Sequence, residues 1–153
     1  MVPVADDEHW MSAALAEARA AGVRGEVPIG AVIVRDGTLV GRGGNQPIAT
    51  VDPTAHAEVV ALRSAAAAVG NYRLVGATLY TTVEPCVMCM GAALNARVAR
   101  LVYGCDDPKA GAARSLFRLG EDPRLNHQLV VCGQVGADES RMLLREFFQA
   151  RRC

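Results

Sequence analysis

The apolar positions along the chain change period several times, and each change marks an element. From Asp7 to Ala21 the residues Trp10, Ala14, Leu15 and Ala18 recur at helical spacing, and Gly22 supplies a stop. Ile29 to Val34 is a nearly continuous, largely β-branched run, the pattern of a buried strand. Asp36-Gly37 provides the turn of a tight hairpin, and Thr38 to Arg42 returns. Asp52-Pro53-Thr54 reads as the start of a helix that runs through Glu58, Leu62 and the alanine-rich Ser64 to Val69 as far as Gly70. Thr78 to Val83 is a strand, and Pro85 suits the first turn of a following helix that reaches about Ala96. Val98 to Tyr103 is strand again. Gly104 to His127 is the longest irregular stretch, with a short helical segment near Ser115 to Leu119. Gln128 to Cys132 is the last strand, and Asp138 caps a C-terminal helix with Met142, Leu143 and Phe147 on its apolar side; the adjacent Phe148 cannot face the core together with Phe147, so one of the two is left to stack on a partner.

Strands alternating with helices predict an α/β protein: a largely parallel sheet covered on both faces, opened by an antiparallel hairpin. The stretch between the last two strands exceeds the dozen or so residues a parallel crossover needs, so those two are predicted to be parallel. No repeat or linker interrupts the pattern. The 153 residues, 51% hydrophobic, are the arithmetic of a single domain spanning 1–153.

Charge narrows the partners. Lys and Arg total 16, as do Asp and Glu, so a strongly basic coat or an acidic tail is excluded. From Arg141 to the end, however, Arg141, Arg145, Arg151 and Arg152 face one acidic residue, Glu146. Leu125–Ala137, the longest run without a charged residue, is too short for the roughly 18–20 residues of a membrane span. Met1 to His9 has neither the basic nor the apolar part of a secretory signal, so a cytoplasmic protein without membrane contact is expected. The five cysteines fit a reduced compartment: Cys86 and Cys89 form a C-x-x-C pair, and Cys105, Cys132 and Cys153 are isolated.

That pair carries the chemistry. A C-x-x-C at a helix start puts both sulfurs on one face, where unpaired N–H groups and the dipole favour thiolates. His56 offers a third ligand, and three ligands leave a tetrahedral zinc with one open position, where a water has a pKa of about 7. Glu58, two residues from His56, lies about 200° around an ideal helix from it. The two can meet only at a point off the helix's N-terminal end, where a carboxylate could move protons. Each residue alone has a plainer reading: a core histidine, a solvated glutamate, a redox pair. A closed structural site using Cys105, His127 or Cys132 as fourth ligand is also open, although it leaves Glu58 unused.

The combined H-x-E and P-C-x-x-C pattern is the signature of zinc-dependent nucleobase deaminases. The chain resembles the bacterial tRNA-specific adenosine deaminases, within the cytidine deaminase-like superfamily, over nearly its whole length. The matching segments are Glu26 to Ala31, Asn45, Asp52 to Glu58, Asn71 to Leu74, Thr78 to Tyr80, Glu84 to Cys89, Asp107 to Lys109 with Gly111-Ala112, Leu125 to His127, and Phe147-Phe148 followed by Arg151-Arg152. The resemblance implies a three-layer α/β/α cytidine deaminase-like fold, with a mixed five-stranded sheet, an N-terminal hairpin and a C-terminal helix. It implies deamination of the wobble adenosine of a tRNA anticodon to inosine by a cytoplasmic homodimer with one Zn2+ per subunit. Under it His56, Cys86 and Cys89 hold zinc, and Glu58 is catalytic. Asn45, with Val27 and Ala57 as walls, grips the flipped nucleoside. Asp107, Lys109, Phe148, Arg151 and Arg152 meet the anticodon stem-loop. Gly43-Gly44, where the family often has a bulky residue, and Arg114, where a small one is frequent, depart from the pattern. Two rival readings remain: a guanine, cytosine or nucleoside deaminase of the same superfamily, and a zinc-stabilised RNA-binding module without catalysis.

Overall fold

A computed structural model describes residues 4–151. Its order is α1 (Asp7–Val23), β1 (Gly30–Arg35), β2 (Thr38–Gly44), a four-residue α2 (Pro47–Thr50), α3 (Ala57–Val69), β3 (Thr78–Val83), α4 (Val87–Asn95), β4 (Arg100–Cys105), a 3-10 turn at Leu119–Glu121, β5 (Val130–Cys132) and α5 (Ala137–Ala150). The five strands form one mixed sheet in the order β2-β1-β3-β4-β5.

β1 runs antiparallel to both of its neighbours, β2 and β3, while β3–β4 and β4–β5 are parallel. The final parallel pair is as predicted, but only half of the pairings are parallel. The reason is the crossover. The β2–α3–β3 unit is a parallel β-α-β connection whose two strands straddle β1, so β1 opposes both. Asp36 and Gly37 both take positive φ, 52° and 72°, as a tight hairpin turn of matching twist requires.

Strand side chains alternate between two cores. Val32, Val34, Tyr80, Val102 and Cys132 pack with Met11, Ala14 and Leu15 of α1, with Leu143 of α5 against them. Ala31, Ile33, Leu79, Leu101, Tyr103 and Val131 face α3 and α4 on the other side. Three layers result.

Several boundaries differ from the sequence prediction, each for a local reason. α1 continues through Gly22 to Val23, and the turn comes at Gly25 in a left-handed conformation. Asp52 does not start α3; its carboxylate closes a turn onto the N–H and hydroxyl of Thr54, and the helix begins only after His56. Pro85 precedes the N-cap of α4 instead of entering its first turn. Ser115 to Arg118 is turn, bend and irregular chain, and the helical segment there is a 3-10 turn that begins only at Leu119. Asp138 does not cap α5: Gly136 occupies that position, and Asp138 instead pairs with Arg141 one turn on. Met142 is exposed, and the packed stripe is Ala137, Ser140, Leu143, Leu144 and Phe147. Cys105 and Cys132 are buried core residues without disulfides; Cys153 lies outside the described residues. Among the described residues no helix is long and apolar enough to cross a membrane.

Candidate active site

Two helix starts meet at the site. His56 is the N-cap of α3 and Cys86 the N-cap of α4, both in extended backbone, and their carbonyls accept the first intrahelical bonds from Val60 and Met90. Cys89 is the third residue of α4, so its sulfur turns back towards the same end. His56 Nδ1 lies 3.6 Å from Cys86 Sγ and 3.5 Å from Cys89 Sγ. Zinc bonds of about 2.3 Å to sulfur and 2.0–2.1 Å to nitrogen at a tetrahedral angle hold N and S about 3.5 Å apart. The donor set therefore fits a tetrahedral zinc in both chemistry and spacing.

Among the described residues these three are the one cluster of metal-type donors, their ligand atoms all within 4.8 Å of one another. The possible fourth ligands are elsewhere: His127 Nε2 is engaged at 2.8 Å with the Val98 carbonyl, and Cys105 and Cys132 sit in the core. The closed structural site is thus not built. The sulfurs behave as a pair. A hydrogen bond from Cys89 brings the Cys86 thiol down to about 5, against its burial and with help from helix N–H groups and His56. The same bond and burial push Cys89 upward, so a cation is what permits both thiolates together.

Glu58, the second residue of α3, is buried; the charges that its carboxyl meets are Cys86 and His56, and the Cys89 thiol hydrogen-bonds to it. Burial pushes it up to about 7, the Cys86 sulfur adding to this while its own backbone N–H and His56 oppose it. A buried carboxyl beside a metal site is placed to take up and release protons.

Asn45 is buried beside α3, where its Oδ1 accepts the Ala57 N–H at 2.8 Å and so caps the helix that carries His56 and Glu58. Ala57 is fully buried and Val27 half-buried in the segment before β1. The other expected contacts lie in two places. Asp107 and Lys109 share a turn in which Asp107 Oδ1 accepts the N–H groups of Lys109 and Ala110. Phe148 and Arg151 are at the end of α5, both exposed, with Phe148 edge-on to Phe147 and the Arg151 guanidinium 3.4 Å above the Phe147 ring. Arg152 lies outside the described residues. Arg114, a departure from the family pattern, turns its guanidinium onto the Val131 carbonyl at 2.8 Å and braces the edge strand β5. Gly43 has no space for a side chain, since a Cβ there would stand 2.6 Å from Val60 Cγ1 of α3.

Sequence reasoning assigned no role to three buried carboxylates, Asp7 at the start of α1 and two nearer the site. Glu26 accepts the N–H groups of Ile48 and Ala49 and pins α2 to the segment before β1. Glu84, just ahead of Pro85-Cys86, receives five donors from Asp107 to Ser115. Burial raises its carboxyl, but Ser115 and the N–H groups outweigh this and hold it below the usual value. The available signal was an acidic residue ending an otherwise buried strand.

Comparison with known proteins covers nearly the whole chain. Residues 4–105 match the profile of the cytidine and deoxycytidylate deaminase zinc-binding region. The tRNA-specific adenosine deaminase of Agrobacterium fabrum is 47% identical over 149 residues, 97% of this chain and 98% of that protein. That of Haemophilus influenzae is 48% identical over 147 residues, 95% of this chain and 85% of that protein. Among solved structures, one from a study of tRNA:A34 deaminases acting at the wobble position superposes with a TM-score of 0.86 at 48% identity, covering 89% of this chain and 99% of that one. Guanine deaminase from Bacillus subtilis superposes with a TM-score of 0.63 at 41% identity, covering 65% of this chain and 64% of that one.

Proposed function

The chain belongs to the tRNA-specific adenosine deaminases of the cytidine and deoxycytidylate deaminase zinc-binding family, and from that premise we propose that it converts the wobble adenosine of a tRNA anticodon to inosine. The observation that carries the chemistry is the tetrahedral spacing of His56 Nδ1 and the two sulfurs with a buried carboxyl beside them. His56, Cys86 and Cys89 would hold Zn2+. Zinc bound there supplies Lewis acidity, lowering the pKa of a water to about 7.

Glu58 does the proton work. Its carboxylate takes a proton from the attacking water and delivers it to adenine N1 as the C6–O bond forms. It then takes the remaining proton from the new C6 hydroxyl and passes it to the exocyclic amine; the C6–N bond breaks as the C6 carbonyl forms, and adenosine plus water become inosine plus ammonia. Asn45, with Oδ1 committed to α3, retains an amide NH2 to donate to the nucleoside, and Val27 and Ala57 wall the base. Unpaired anticodon bases are turned out at low cost. Asp107, Lys109, Phe148, Arg151 and Arg152 form the surface for the stem-loop, with Phe148 free to stack on a base.

We further propose a single catalytic domain that works in the cytoplasm as a homodimer. Sedimentation finding only monomers at micromolar concentration would reject that assembly.

An anticodon stem-loop, guanine and cytidine, each offered to the zinc-loaded protein, decide the substrate. Inosine from the stem-loop alone is expected, and turnover of a free base alone would reassign the enzyme. Glu58→Ala should keep zinc and RNA binding while deamination falls by about 10²–10⁴-fold or more. Undiminished inosine yield in that variant would remove Glu58 from its role.

A further inference from the structure

Glu84 is an acceptor-only side chain enclosed by donors. Its Oε1 takes the Asp107 N–H at 3.0 Å and the Ser115 hydroxyl; Oε2 takes the N–H groups of Ala113, Arg114 and Ser115 at 3.1, 2.8 and 2.8 Å. All five donors are neutral and come from one loop, and the residue is 3% exposed. The loop wraps so closely that a Cβ at Gly111 would stand 2.3 Å from Glu84 Cδ. One residue on, the Pro85 carbonyl accepts the Ala112 N–H at 2.8 Å, and the next residue is Cys86. The strand end that carries a metal-site sulfur therefore also holds the whole turn containing Asp107 and Lys109.

We propose that Glu84 is a positioning residue: it fixes the Asp107–Ser115 loop relative to the reaction centre, and thereby sets how well an RNA substrate is bound. The assignment rests on the tRNA reading above for its substrate. Chemistry explains why a carboxylate stands here. Glutamine, of the same shape, would bring an NH2 into a shell that supplies only donors. Its carbonyl would keep the three N–H groups at Oε2, and the Ser115 hydroxyl could rotate to accept. The Asp107 N–H would then face another donor, so the loop should loosen first at Asp107.

The test compares wild type with Glu84→Gln, both zinc-loaded. It reads amide hydrogen exchange at residues 107 and 113–115, zinc content, and kcat and KM on an anticodon stem-loop. We expect equal zinc, faster exchange at Asp107, and KM raised about tenfold, the scale of one lost charge-assisted hydrogen bond. kcat should stay within about twofold, because the contact acts on binding and not on the chemical step. Unchanged exchange and KM overturn the assignment. So does a fall in kcat that tracks lost zinc, which would make Glu84 a support of the metal site alone. Should Glu84→Gln not fold, Ser115→Ala removes one of the five donors and must show the same split in smaller measure; wild-type behaviour there also overturns it. A wild type inactive on the stem-loop defeats the tRNA reading and not the loop assignment, which amide exchange then decides.

Discussion

Asp7 lies at the beginning of α1 with no exposed surface, and its carboxylate is fully engaged. Arg100 of β4 grips it in two parallel bonds of 2.7 and 2.6 Å, Tyr80 of β3 donates at 2.8 Å, and the Val4 N–H closes the ring at 2.8 Å. Burial pushes the carboxyl up, but Arg100, Val4 and Tyr80 together outweigh it and leave it below its ordinary value. A lowered carboxyl contributes stability above the unfolded value of about 3.9 and loses it as pH falls through the folded one. Thermal melting should therefore move down steeply below about pH 4. Asp7→Asn should flatten that limb and cost about 3 kcal/mol at pH 7, because it leaves the Arg100 charge buried without its partner. A variant that melts like wild type at both pH values would show the pair to be idle. Nothing in the local pattern distinguishes Asp7 from the solvated Asp6 and Glu8 beside it, since its partners stand 73 and 93 residues away. Gly43 is the converse case, read as a departure from the family and explained by packing. Gly43→Ala should cost about 1–3 kcal/mol by pushing Val60, measured by denaturant midpoint.

The helix starts were the elements hardest to place from sequence and the ones that matter most. Asp52 looked like an N-cap but spends its carboxylate on Thr54, so α3 begins four residues later with a metal-site histidine in the cap position. The geometric argument from His56 and Glu58 survives that shift and is strengthened by it. Two residues apart inside a helix they would diverge; at the N-cap and second helical position they converge past the helix end. Since His56 makes no side-chain capping bond of its own, the capping acceptor for the Ala57 N–H comes from Asn45, twelve residues before Ala57. That contact ties the element to the proposed grip on the nucleoside, and the two roles can be separated. Asn45→Asp keeps an acceptor for the Ala57 N–H but loses the NH2 donor. It should melt near wild type yet lose at least about tenfold in kcat/KM on the stem-loop, the scale of one lost substrate hydrogen bond. Asn45→Ala should lose both, with about 1 kcal/mol of stability gone with the cap. Equal kcat/KM for Asn45→Asp and wild type would confine Asn45 to capping.

At the scale of the molecule, what the sequence made legible was whatever is local in the chain, the strand runs and the hairpin; His56 stands 30 and 33 residues from Cys86 and Cys89, and the combined motif rather than locality put them together as candidate ligands. The surface proposed for RNA is not local, for it joins a loop near residue 107 to the end of α5, and only the family resemblance linked them. Electrostatics offers a test of that surface independent of catalysis. The chain has no net charge, so under the proposed function its attraction for RNA has to come from uneven distribution, and the end of α5 is its arginine-rich part. Arg151 has a competing engagement, with its guanidinium above the Phe147 ring and a hydrogen bond to the Phe147 carbonyl. If it also meets phosphate, as Arg152 is proposed to, each arginine releases counterions on binding, worth about 0.7 in the slope of log K against log salt for single-stranded RNA. The Arg151→Ala, Arg152→Ala double variant should then bind the stem-loop more weakly at low salt, with its slope shallower by about 1.4. If Arg151 serves only to cover Phe147, melting drops and the slope is shallower by only about 0.7, the share of Arg152. A slope identical to wild type would move the RNA contact elsewhere on the surface.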